Sequence, residues 1–301
     1  MTASSTFLLL IAGLCEVAKA HNHKPVDLVG CGRLQERLYP PAPFEKYAET
    51  NDHPWMALLV HKGGDVCSGL LIPTSKRNSS FAVVTSSGCQ SKGDIGEWVV
   101  LTGIGPNGQI DGPYSRVSKP TTSLVVTNDT QEEDVAFVFF YPEVPFNEHV
   151  IPVCLPSRSK PPSRSQCILT GYEVERSHTG NNSYNVLIEG VSRARLREMA
   201  FRASSPTVRS SGKIRRLQLK DKSDKTGLVH SLGSPLVCNH GGLWALYGTY
   251  IPSLSGVKEA VFTDFFDALS LIRAILLLPR RKKNDRIHSR SFKSVLELFD
   301  K

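Results

Sequence analysis

Short runs of β-branched and aromatic residues recur along this chain, each closed off by Gly, Pro, Asn or Ser. They include Phe81-Ala82-Val83-Val84-Thr85, Trp98-Val99-Val100-Leu101, Ser123-Leu124-Val125-Val126 and Val135 to Phe140. Further along come Cys167-Ile168-Leu169-Thr170, Tyr184 to Ile188 and Leu243 to Ile251. Such runs are strand-sized, and their recurrence between turn residues predicts an all-β sandwich or barrel. The Pro- and Ser-rich stretch Ser157 to Ser165 divides them into two groups. After Asp264 the period changes: Phe265, Leu269, Ile272 and Leu276 fall near helical spacing and predict a helix that stops at Pro279. With 301 residues, 40% of them apolar, the chain can bury a sizeable core.

The first twenty residues read as an export signal. Phe7 to Leu14 is apolar but too short to span a bilayer, and Ala18-Lys19-Ala20 is a small-x-small cleavage pattern. Cleavage after Ala20 removes Cys15 and leaves an even set of cysteines: Cys31, Cys67, Cys89, Cys154, Cys167 and Cys238. An even set in an exported chain points to disulfides. No CxxC or Cys/His cluster points to a metal, and nothing calls for a cofactor. Asn78, Asn128 and Asn181 begin N-x-S/T triplets, which in an exported protein are glycan acceptors on exposed loops. The apolar stretch Ala268 to Leu278 is interrupted by Arg273 and falls short of the roughly 20 residues of a spanning helix. No membrane span is expected.

Several motifs resemble, in order, those of the trypsin-like (chymotrypsin-fold) serine proteases. His53-Pro54-Trp55-Met56-Ala57 followed by Cys67-Ser68-Gly69-Leu70-Leu71-Ile72 is similar to the family's opening strands. Val83-Val84-Thr85-Ser86-Ser87-Gly88-Cys89 resembles V-L-T-A-A-H-C, and Asp134-Val135-Ala136-Phe137 resembles D-I-A-L. Val150 to Pro156 is nearly P-V-C-L-P, and Cys167 to Tyr172 resembles C-x-V-T-G-W. Gly233-Ser234-Pro235-Leu236-Val237-Cys238 resembles the end of G-D-S-G-G-P-L-V-C, and Val261-Phe262-Thr263 resembles V-Y-T. The resemblance implies two antiparallel six-stranded β-barrels with a C-terminal helix. It divides the chain into a signal peptide (1–20), an N-terminal segment tethered by a disulfide (21–41), the trypsin-like domain (42–279) and a basic tail (280–301). The disulfides it implies are Cys67–Cys89, Cys31–Cys154 and Cys167–Cys238.

The family's reaction needs a hydroxyl nucleophile, a histidine to take its proton and a carboxylate to orient that histidine. Carried over residue by residue, the histidine position is Gly88, the serine position is Leu232, and the carboxylate Asp134 alone persists. Glycine cannot accept a proton and leucine cannot attack a carbonyl. Losing the serine or histidine alone costs a comparable enzyme about 10⁶-fold in turnover. The activation switch is missing too. Near Pro41-Ala42 there is no basic cleavage site and no I-V-G-G, and Ser231 stands where the new amine would find an aspartate. The loop around the lost nucleophile reads His230-Ser231-Leu232, and Thr226, with Asp224 nearby, occupies the specificity position. His230 beside Ser231 leaves open a relocated nucleophile, although adjacent residues rarely face one another.

The implied function is a non-catalytic, secreted binding or regulatory module in an extracellular proteolytic cascade. Its partner would be an extracellular protein, an active protease or a protease substrate. A hydrolase with altered catalytic residues and a glycan-binding structural glycoprotein are the alternatives. The net charge of +8 bears on the last, because it is concentrated. Arg193 to Lys225 carries 11 basic and 3 acidic residues, including Arg193, Arg195, Arg197, Arg215 and Arg216. The tail opens with Arg280, Arg281, Lys282 and Lys283. For an exported protein such segments point to a sulfated glycan as a further partner, rather than to nucleic acid.

Overall fold

The structure is a computed structural model. It describes residues 30–33, 46–48, 52–74, 78–105, 108–110, 112–126, 135–176, 191–202, 207–211, 214–220, 232–251, 259–266 and 268–269. The export segment, Asp134, Asn128, Asn181, His230, Ser231, Asp224, Thr226 and the basic tail lie outside the described residues.

Six strands of the first half close into a barrel: β2 (Met56–His61), β3 (Val66–Leu71), β4 (Ser79–Ser86), β5 (Trp98–Thr102), β6 (Arg116–Val126) and β7 (Val135–Pro145). The closed order is β2-β3-β4-β7-β6-β5, with every neighbour antiparallel. Closure explains the run Met56 to Val60, where five consecutive residues are buried rather than alternating. Residues facing into the barrel and residues facing the rest of the molecule are both covered, so neither phase has to be polar. Two apolar clusters result. One holds Ala57, Leu59, Val83, Val100 and Val138 with the Cys67–Cys89 disulfide. The other, around Trp55, Leu58 and Phe137, continues into the second half through Ile168, Val237 and Leu246.

The second half uses β1 (Lys46–Tyr47), β8 (Gln166–Arg176), β9 (Val191–Arg202), β10 (Thr207–Ser211), β11 (Ile214–Lys220), β12 (Pro235–His240), β13 (Leu243–Thr249) and β14 (Glu259–Thr263). Where the resemblance implies a second six-stranded barrel, the described residues form two sheets. One is five-stranded, ordered β1-β9-β8-β12-β13, and the other three-stranded, ordered β10-β11-β14. The seam between β13 and β14 shows why no ladder links the two. Among the described residues the two meet as strands at the Tyr250↔Phe262 bridge, beside which the Ile251 amide donates to the Val261 carbonyl at 2.9 Å. At the next step the Thr263 hydroxyl accepts from the Thr249 amide at 3.0 Å and lies 2.6 Å from the Thr249 hydroxyl. A side chain thus takes the place of a carbonyl. The strands also pass very close here, because a Cβ on Gly248 would collide with the Thr263 carbonyl oxygen.

The connection between the halves, which includes Ser157 to Ser165, is anchored rather than loose. Cys154 is bonded to Cys31, and its backbone amide and carbonyl pair with Trp244 and Leu246 of β13. The Cys167–Cys238 disulfide joins directly opposed residues of β8 and β12. At the C-terminal end, the Asp264 carboxylate accepts from the Phe266 amide, and the Leu269 amide donates to the Phe266 carbonyl. Beyond Leu269 the expected helix lies outside the described residues.

Candidate functional site

The place where the sequence points to lost chemistry is built from two turns that meet over β3. The first follows β4. Its last residue, Ser86, takes the amide of Gly88 on its hydroxyl at 3.3 Å and so starts a 3-10 turn over Ser87–Lys92. That turn carries Gly88 and Cys89, both buried, and the disulfide to Cys67 holds it on β3. Thr85 tightens the corner, donating to the Ser68 carbonyl at 2.7 Å.

The second turn, Leu232 to Ser234, leads into β12. The Ser68 amide donates to the Leu232 carbonyl at 2.8 Å, and the Tyr250 amide to the Ser234 carbonyl at 2.8 Å. Gly233 has φ +78°, a region that side chains resist. It also lies so close to β3 and β4 that a Cβ would collide with the Ser68 carbonyl and the Thr85 hydroxyl. Only glycine permits this approach. It sets the Leu232 side chain, half-buried, against the cluster that contains Cys67 and Cys89.

Among the described residues this corner carries backbone amides, the Leu232 side chain, a disulfide and several hydroxyls. Three of the hydroxyls have assigned partners: Thr85 donates to a carbonyl, Ser86 accepts from the Gly88 amide, and Ser68 accepts from the Tyr172 amide at 2.8 Å. Burial pushes the Tyr172 phenol well above its ordinary range, so it stays protonated. The described histidines are engaged elsewhere. His61 lies 3.3 Å from Glu97, His149 stacks on Tyr114 and lies 3.3 Å from Glu148, and His240 lies 3.5 Å from Arg158. Burial, with Arg158 adding to it, lowers the His240 pKa.

Residues 44–272 match the trypsin family. The chain belongs to the trypsin family. Among relatives, a venom plasminogen activator of Gloydius brevicauda is 26% identical over 232 residues, which is 75% of this chain and 83% of the activator. An inactive CLIP domain-containing serine protease of Anopheles gambiae is 25% identical over 188 residues, 58% of this chain and 48% of that protein. The chain thus spans about half the length of the second relative.

Against the trypsin-family expectation, Gly88 and Leu232 are brought to one corner, whereas Asp134 lies outside the described residues. One polar pair escaped the sequence reading. His53 Nε2 lies 2.7 Å from Glu198 Oε2, with both side chains essentially buried. The residues are 145 positions apart, so no local pattern links them. A signal was nevertheless present on β9. Arg193, Arg195 and Arg197 alternate with Ala194, Leu196 and Glu198, which puts Glu198 on the apolar phase.

Arg193, Arg195 and Arg197 belong to the five-stranded sheet, Arg215 and Arg216 to the three-stranded one. Arg195 pairs with Glu175 at 2.8 Å and Arg197 lies 3.7 Å from Glu173. Both guanidinium groups lie against the ring of Tyr47, whose hydroxyl donates to Glu173 at 2.9 Å. Arg193 is exposed. Among the described residues no group of His, Cys, Asp and Glu could hold a metal. No described helix is long and apolar enough to cross a membrane.

Proposed function

We propose that this member of the trypsin family is exported and non-catalytic, and that it works as a binding or regulatory module for an extracellular protein, either an active protease or a protease substrate. One observation carries the reading. At the turn where the family motif puts its nucleophile, the Leu232 side chain packs on the apolar cluster that contains Cys67 and Cys89. A leucine there supplies contact area and excludes water, which suits a binding surface and gives no bond-making group. Three further features support export: the signal-like segment, the three disulfides, and the exposed Asn78 at the entry to β4. That one relative is named inactive fits the same direction.

The other relative is named a plasminogen activator, which favours a hydrolase as the competing reading. The two separate in a turnover assay on the mature, oxidised chain. Chromogenic peptides with Arg or Lys before the scissile bond, and plasminogen itself, should be left intact at the buffer rate. Turnover that rises with protein concentration and is blocked by a serine-protease inhibitor would overturn the non-catalytic reading.

A further inference from the structure

The connection between the two halves starts and ends on one rung of the second half. Cys154 is bridged to Ala245 of β13, Ala245 faces Cys238 of β12, and Cys238 faces Cys167 of β8. The residues between Cys154 and Cys167 therefore arch from one end of that rung to the other. Three interstrand steps put the feet of the arch about 14 Å apart. Each foot is fixed by a disulfide, Cys31–Cys154 at one end and Cys167–Cys238 at the other. Arg158, Lys160 and Arg164 stand on the arch, all three exposed. Arg158 reaches the β12–β13 hairpin, where its Nη2 lies 3.5 Å from His240 Nε2. Burial first, and Arg158 second, lower the pKa of that ring, so at neutral pH Arg158 meets an acceptor there and no counter-charge. Among the described residues no carboxylate pairs with Arg158, Lys160 or Arg164. The surroundings explain why. Residues 30–33, 149–172 and 232–251, which make up the arch and what it stands on, contain no Asp or Glu. Arg164 adds a second sign: at φ +63° it is the one non-glycine residue with a positive φ among the described residues. It is third in the turn that the Ser165 amide closes on the Pro162 carbonyl at 3.0 Å, a position that favours glycine or asparagine. An arginine gains the backbone nothing there; what it supplies is exposed charge.

We infer that this arch is an anion-binding surface, and that its ligand is a sulfated polysaccharide. Three cations on a short segment with no carboxylate to compete present a positive field to solvent. The feet are pinned, so a polyanion meets these charges without first having to order the chain. A single sulfate at so open a site is held weakly in salt, whereas a polymer sets several sulfates against the three cations at once. The guanidinium forks of Arg158 and Arg164 suit the oxygens of a sulfate ester. Arg195 and Arg197 are poorer competitors, because Glu175 and Glu173 already stand beside them. The choice of a sulfated polymer rests on the export reading. The site itself holds whether or not the chain turns over a substrate, so the turnover assay and the following experiment fail independently.

The experiment uses the full, oxidised chain in two ways. On immobilised heparin, R158Q/R164Q should elute at clearly lower sodium chloride than wild type, with the slope of log affinity against log salt reduced by about one for each lost contact. R195Q/R197Q removes as much charge and should elute close to wild type. Equal losses in the two variants would reduce the effect to net charge and overturn the assignment, as would an unchanged R158Q/R164Q. The second measurement needs no variant to fold. An amine-acylating reagent followed by peptide mapping should label Lys160 of the wild type several-fold more slowly once heparin is added. Lys62, 76% exposed on the first barrel, should keep its rate. Lys160 labelled equally fast with and without heparin overturns the proposal. Desulfated heparin, sodium sulfate at matched ionic strength and phosphatidylserine vesicles should each leave Lys160 unprotected. Protection by any of them equal to that by heparin would overturn the assignment, in favour of the sugar backbone, a free anion or a lipid surface respectively.

Discussion

Replacing His53 with leucine should cost about 3–5 kcal/mol of folding stability, among the largest effects of any single change outside the disulfides. The reason is burial. His53 precedes β2 of the closed barrel and Glu198 lies on β9 of the five-stranded sheet, so their 2.7 Å contact links the two halves of the molecule. Removing the imidazole leaves a carboxylate in a site that water does not reach, where an uncompensated charge is expensive. Glu198→Leu should cost less, because an imidazole that loses its partner can stay uncharged and forfeits only a hydrogen bond. The double variant should cost much less than the sum of the two, because no charge is then stranded. Urea unfolding followed by tryptophan fluorescence reads all three, with Trp55 reporting locally from a ring 5.8 Å from His53. As an internal contrast, Lys62→Ala should cost under about 1 kcal/mol, since its contact with Glu97 is largely solvent-exposed. If His53→Leu costs no more than Lys62→Ala, the pair is not what joins the halves.

The second large effect concerns recovery of activity. Leu232→Ser alone should give no measurable gain in peptide turnover, even though it restores the family's nucleophile. A serine hydroxyl is a weak nucleophile until a base takes its proton. Gly88 supplies none, and the described histidines are held by other partners. Gly88→His with Leu232→Ser is the smallest change that puts both groups back. Its cost is steric as well as chemical, because Gly88 is buried in the 3-10 turn beside the disulfide. Turnover in the double variant, measured with active-site titration, should exceed that of either single variant by orders of magnitude, or else all three should be inert. A single Leu232→Ser variant that matches the double would show that a base is present elsewhere.

Much of the frame was legible from local pattern. Six of the seven strand runs correspond to β4, β5, β6, β7, β8 and β13, because β-branched and aromatic residues suit a pleated, half-covered surface, and the seventh, Tyr184 to Ile188, lies outside the described residues. The three disulfides implied by the family resemblance are those the structure contains. The second half was less legible, because the seam between its two sheets depends on a threonine hydroxyl replacing a carbonyl, and on Gly248 allowing a close pass. Neither leaves a mark in hydrophobic period. The basic segment was legible as charge but not as geometry. Whether an arginine is compensated depends on which residue stands across from it, and the partners of Arg195 and Arg197, Glu175 and Glu173, lie on another strand. His53 was read as part of an opening motif, yet its partner is a residue far along the chain on the inward phase of β9.

The most direct test of the non-catalytic reading is the reaction of the mature wild-type protein with a fluorophosphonate probe, which bonds covalently to an activated serine and needs no knowledge of the substrate. The account predicts no label on the folded protein after prolonged incubation, with an active trypsin labelled alongside. Stoichiometric label that maps to one serine peptide would contradict it.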